Sequence, residues 1–193
     1  MPGEMGGARL RNQVAPHRYA RFVTNTTRPS WWSSFGRSGG AGSIKFQHSS
    51  TNGGYLDQDY TGISGYPLSL AAWVYCGGIT DTFYRSILTV GSDGANRGWC
   101  NIVVRGTTST AMRFGMTTDN NDVGGGTATD TNTTNYSSAW HHVIGVWRSA
   151  TSRELYVDGV LLATYTSSVT LATGIATGST WLGAQNLRGS VSG

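Results

Sequence analysis

The stretch Trp140-His-His-Val-Ile-Gly-Val-Trp147, a polar connection Arg148–Arg153, and then Glu154-Leu-Tyr-Val-Asp-Gly-Val-Leu-Leu-Ala-Thr-Tyr-Thr166 decides the fold. In 140–147 the side chains alternate. His141, Val143 and Trp147 share one face, and His142, Ile144 and Val146 share the other. Leu155–Val157 reads as a second strand. Asp158-Gly159 is a two-residue type I′ hairpin signal, and Val160–Tyr165 returns antiparallel. Three consecutive antiparallel strands form a meander that the rest of the chain must pack around.

Composition extends this reading to the whole chain. The 193 residues include 28 Gly, seven Trp and nine Tyr, and only 12% are charged. Many short strands joined by Gly-rich turns have this profile, and no window shows a convincing 3.6-residue apolar period. No apolar run approaches the ~18 residues of a membrane span. The N-terminus is basic but has no apolar core of about 7–15 residues, so no secretory signal peptide is read.

Further strands are expected at Ser43–Gln47, Gly53–Leu56, Leu68–Cys76, Tyr84–Val90, Trp99–Arg105, Ala111–Met116, Val169–Leu171 and Ser179–Gly183. Leu68–Cys76 is apolar on both faces and reads as a central strand. Residues 117–139 are rich in Thr, Asn, Asp and Gly and read as one long polar loop. Cys76 and Cys100 read as two buried thiols, with a cross-sheet pair as the alternative. They are too few for a zinc site.

Charge is uneven. Residues 1–40 carry Arg9, Arg11, Arg18, Arg21, Arg28 and Arg37 against Glu4 alone, whereas residues 41–193 are almost neutral. The N-terminal segment lacks periodicity, holds Pro2, Pro16 and Pro29, and is interspersed with Tyr19, Phe22, Trp31, Trp32 and Phe35. It reads as an extended basic arm (1–40) lying on a surface, preceding a domain at 41–193. Dispersed arginines without an accompanying motif disfavour nucleic-acid binding.

Ser43-Ile-Lys-Phe46 with Tyr55-Leu56, Leu68-Ser-Leu-Ala-Ala-Trp-Val74, and Trp140-His-His-Val143 leading to Leu155-Tyr-Val-Asp-Gly-Val160 and Trp181-Leu-Gly-Ala184 together resemble the laminin-G-like, or concanavalin A-like, jelly roll. The resemblance covers about residues 42–184 and implies an all-β, two-sheet antiparallel sandwich. The superfamily also includes pentraxins and legume lectins. Family members usually finish with a strand that returns beside the first one, and this chain stops at Leu187–Gly193, about where that strand would begin. Either the arm or another polypeptide is expected in that position, or the sequence has lost its end.

The chemistry is read on the same basis. Glycoside hydrolases of this fold use paired carboxylates, and the enzymes resembled carry a Glu-x-Asp-x-Glu pattern. This chain has only Glu4 and Glu154, with no such triplet, and Asp57 and Asp59 read as turn residues. A non-enzyme is therefore expected. His141 and His142 point to opposite faces and cannot chelate one metal together. The resemblance raises calcium as a ligand, for which Asp119, Asn121 and Asp122 supply oxygens of the right type; no other cofactor is implied. Trp73, Trp140, Trp147 and Trp181 fall at family core positions and are expected to pack. Trp99 and Tyr136, with Asn121 and Asp122, are the surface candidates for carbohydrate.

Two functions lead. The resemblance to phage proteins that join such a domain to an arm implies a structural protein of a virus particle, a capsid decoration or tail appendage. Arg9, Arg11, Arg18, Arg21, Arg28, Trp31 and Trp32, with the C-terminal edge, would dock on other virion proteins, and homo-oligomers would be compatible. The alternative is a carbohydrate-binding or adhesion module, calcium-dependent or not, acting on cell-surface or environmental glycans. The corresponding locations are the virion or, failing that, outside the cell. A glycan-active enzyme ranks third.

Overall fold

The computed structural model describes residues 10–11, 19–23, 29–32, 35–37, 42–46, 55–58, 63, 65–77, 84–91, 98–106, 112–120, 127–129, 134–166, 178–183, 185–187 and 190–192. Every regular element among them is a strand. In chain order these are β1 (Leu10–Arg11), β2 (Tyr19–Val23), β3 (Ser30–Trp32), β4 (Ser43–Lys45), β5 (Tyr55–Gln58), β6 (Leu68–Tyr75), β7 (Tyr84–Gly91) and β8 (Gly98–Gly106). They continue with β9 (Met112–Asn120), β10 (Thr127–Thr129), β11 (Trp140–Trp147), β12 (Ser152–Val157), β13 (Val160–Thr166), β14 (Ser179–Leu182), β15 (Gln185–Leu187) and β16 (Ser190–Ser192).

Two antiparallel sheets form the sandwich expected of a jelly roll. One has the order β1-β2-β5-β14-β7-β8-β9-β10 and the other β13-β12-β11-β6, with two-stranded pairs β3-β4 and β15-β16 beside them. The core lies between the sheets. Leu68, Leu70, Val143, Trp147, Leu155 and Val157 of the small sheet meet Val90, Cys100, Ile102, Val104, Met112, Phe114 and Met116 of the large one. Alternation along β11 and β12 places these residues inward and their neighbours outward. The Asp158-Gly159 turn has φ of 51° and 83°, the left-handed pair that a type I′ hairpin requires. Both cysteines are buried free thiols. Burial pushes the Cys76 thiol up to about 12.

Four expectations are corrected. Leu68–Tyr75 is not central: among the described residues it ends the four-stranded sheet, and its outward side chains stay open. The 117–139 segment is not one loop. Strand β9 continues to Asn120, and β10 folds back on it with Thr127 opposite Thr117. Threonine is a good strand former, and an edge with one face in water needs no apolar alternation. Arg153 does not belong to the polar connection but lies in β12 and is buried. Asp57 is buried in β5 rather than placed on a turn. The expected strand at Val169–Leu171 falls outside the described residues.

Within residues 1–40, β1 and β2 belong to the eight-stranded sheet and β3 forms a two-stranded sheet with β4. β2 pairs with β5, setting Arg21 opposite Asp57, and β3 pairs with β4, setting Trp32 opposite Ser43.

Candidate functional site

The open outer face of β6 and β11 is the most distinctive surface. Trp73 and Tyr75 are two residues apart on β6 and share its outward side, while the register sets His142 opposite Trp73 and Trp140 opposite Tyr75. Four aromatic rings therefore adjoin on one patch. Trp73 is 43% exposed and Tyr75 38%. The His142 ring stacks on Trp73 at 4.9 Å and 24°, and the Trp140 and Tyr75 rings lie 5.7 Å apart.

Phe35 and Arg37 border this patch. The Phe35 ring meets Tyr75 edge-on at 4.7 Å and Trp140 at 5.8 Å. The Arg37 guanidinium lies 3.6 Å from the centre of the Trp73 ring. Trp32 follows with Phe35 at 5.5 Å and the Lys45 ammonium at 4.4 Å above its ring. The patch is thus apolar at its centre and rimmed by donors, namely Arg37, His142 and Lys45. This combination suits a neutral, hydroxyl-rich ligand with flat apolar faces.

The expectation that Trp73 packs is corrected here, since it is exposed; Trp140 is half-buried against Tyr75 and Phe35 on the same outer face, and Trp147 and Trp181 are buried. The two surface candidates are corrected in the opposite sense. Trp99 is 8% exposed, because β8 is flanked by β7 and β9 and is buried on both faces. Tyr136 is 7% exposed. It packs on Phe114 at 5.3 Å and His141 at 5.1 Å, and its N–H donates to the Met112 carbonyl. Asn135 Oδ1 accepts from the N–H groups of Met112 and Ser137 and holds this turn. Asn121 and Asp122 lie outside the described residues, and Asp119 is described by its backbone alone, opposite Trp99. Of the arm candidates, Arg9, Arg18 and Arg28 lie outside the described residues. Arg11, Arg21 and Trp31 are placed as strand backbone only.

The missed signal was the pair Trp73 and Tyr75 at i and i+2. On an edge strand that spacing puts both rings on the solvent side.

His141 and His142 do diverge. His141 turns inward, its Nδ1 2.7 Å from Asp158 Oδ2, while Asp158 Oδ1 accepts the His142 N–H at 2.9 Å. Burial raises the Asp158 pKa, but the hydrogen bonds from His141 and His142 outweigh it and hold the carboxyl below its ordinary value. Glu154 is committed similarly. Arg148 donates to both its oxygens at 2.6 and 2.7 Å, and the Tyr156 hydroxyl donates at 2.6 Å. These bonds depress its pKa. Both carboxylates are thus bound into local pairs. Among the described residues, no three His, Cys, Asp or Glu side chains converge on a metal position.

Residues 38–192 match the concanavalin A-like lectin/glucanases superfamily. The chain belongs to that superfamily. No curated protein matches it. Solved structures to which the chain is similar include β-agarase A from Zobellia galactanivorans, with 16% identity and a TM-score of 0.48 over 94% of this chain and 68% of that one. A Bacillus licheniformis β-glucanase gives 15% and 0.43 over 88% and 75%. An alginate lyase gives 13% and 0.45 over 91% and 82%.

Proposed function

We propose that the protein is a non-enzymatic carbohydrate-binding module whose platform is the Trp73, Tyr75 and Trp140 face. The observation that carries this reading is the exposure of Trp73 and Tyr75 side by side on a rigid strand pair. Stable folding gains nothing from leaving two large rings in water, so their exposure favours a binding role. Pyranose rings of β-linked polysaccharides present flat C–H faces that stack on indole and phenol rings. Arg37 and His142 supply donors for the hydroxyl groups at the rim. Arg37 is exposed and swings aside for a sugar at a cost of roughly 0.5–1 kcal/mol, the value of an exposed cation–π contact. A non-enzymatic role is supported by the local commitment of Glu154 and Asp158 and by the missing carboxylate triplet.

The virion role depends on an arm available to a particle surface. Strands β1, β2 and β3 of the arm pair within the chain itself, which favours the carbohydrate reading.

The test is a glycan array probed with the full chain, with and without calcium. Binding to β-linked polysaccharides, lowered at least tenfold by Trp73→Ala, is expected. Calcium dependence would bring Asp119, Asn121 and Asp122 into the site. No binding in either condition would remove the reading, and release of reducing sugar from any bound glycan would replace it with an enzyme.

A further inference from the structure

Among the described residues Arg153 is the one basic side chain that is buried. It lies in the inward row of β12, between Trp147 of β11 and Tyr165 of β13, and is 3% exposed. Its Nη1 and Nη2 are buried and make no hydrogen bond. The Tyr165 ring, 4.5 Å from the guanidinium carbon, is its cation–π neighbour. The hydroxyl of Tyr66 is also buried without a hydrogen-bond partner. Leu68 stands opposite Trp147 and Trp147 opposite Arg153, so Tyr66, two residues before Leu68 and packed against the core, lies at the same end of the small sheet as Arg153. Burial keeps the Tyr66 hydroxyl and the Cys100 thiol neutral. Among the described residues no carboxylate pairs with Arg153. Its neighbour Glu154 points to the opposite face and is held by Arg148 and Tyr156.

A buried, uncompensated guanidinium costs several kcal/mol, and natural cores rarely keep one without a partner. The two free Nη groups form the outer edge of the guanidinium fork, which matches the two oxygens of a carboxylate. The Tyr66 hydroxyl adds a third donor. The residues paired with Arg153 across the sheet, Trp147 and Tyr165, are uncharged.

We propose that Arg153 and Tyr66 form an internal binding site for a small carboxylate, of formate to acetate size, at the end of the sandwich beside the 148–151 connection. Arg153 is only 3% exposed, which is why a ligand of a few atoms is proposed. The site lies on the inward face of the small sheet, opposite the aromatic patch, so it stands independently of the carbohydrate reading.

Thermal unfolding of the full chain tests it, with formate or acetate replacing chloride at constant ionic strength and neutral pH. A saturable rise in Tm is expected, roughly 5–10 °C at a hundredfold excess over Kd. Chloride should bind at least tenfold more weakly. Arg153→Met should abolish the rise and should unfold at a higher temperature than the parent in carboxylate-free buffer, since it removes an unpaired buried charge. Tyr66→Phe keeps the ring and should weaken carboxylate binding several-fold, which provides a second readout if Arg153→Met does not fold. No carboxylate-dependent rise in the parent, equal stabilisation by chloride, or an undiminished rise in both variants would overturn the proposal.

Discussion

At Gly145 an added methyl group would sit 2.8 Å from Cζ3 of Trp147. Trp147 is 1% exposed and cannot retreat. Gly145→Ala should therefore destabilise the protein by about 1–3 kcal/mol, the usual cost of overpacking, measured by chemical denaturation. Truncating the ring itself, Trp147→Ala, should cost about 3–5 kcal/mol. Asp158 acts at the same scale. Its carboxylate closes the hairpin through His141 and the His142 N–H, and its φ of 51° is one that alanine adopts poorly. Asp158→Ala should cost roughly 1–3 kcal/mol, whereas Asp158→Asn should cost less, because asparagine tolerates the left-handed region and still accepts a hydrogen bond. The sequence made the Asp-Gly turn legible because two left-handed positions admit few residue types. It did not make Gly145 legible, because the reason for that glycine is a ring two residues away on the same face.

The four-stranded sheet defines the next scale. Its strands were readable where one face is apolar and the other polar: β11 and β13 fall at the expected bounds to within a residue, and β12 ends where expected but begins at Ser152 rather than Leu155. The readings failed where the cause lay outside the strand. Trp73 and Trp99 are both tryptophans in alternating runs. One is exposed because β6 ends its sheet, and the other is buried because β8 has neighbours on both sides. Neighbour order is set by long-range pairing, which a local pattern does not contain. The Arg37 contact with Trp73 is likewise a matter of tertiary approach. Because Arg37 is assigned as a donor to sugar hydroxyls, Arg37→Ala should lower sugar affinity several-fold; unchanged or raised affinity would show that it only shields the ring. Tm should move little in either case, because Arg37 is exposed.

For the whole molecule, acid should loosen the fold. Asp158 and Glu154 both titrate below their ordinary values of 3.8 and 4.5 in the folded chain. Unfolding therefore takes up protons in that range. The stabilisation they provide is complete above about pH 5 and is lost as pH falls through 4.5 and 3.8 toward the lower folded values. Denaturation midpoints measured between pH 6 and pH 3 should fall, and less steeply in Asp158→Asn. The effect is modest because both pairs are partly solvated. The sandwich itself was legible in the sequence, since composition, strand spacing and the Trp140–Thr166 meander all point to it. The integration of residues 19–23 and 30–32 into the sheets was not, because short strands rich in Arg and aromatics carry no alternation of their own and are fixed by β5 and β4.

The central claim is that the outward rings of β6 and β11 bind sugar. Equilibrium titration of the full chain with a soluble β-linked oligosaccharide identified on the array, followed by tryptophan fluorescence, tests it most directly. The account predicts a saturable change that is lost in Trp73→Ala and weakened at least several-fold in Tyr75→Ala, with the Tm of both variants within a few degrees of the parent. A saturable change that survives in both variants would place the sugar elsewhere and contradict the account.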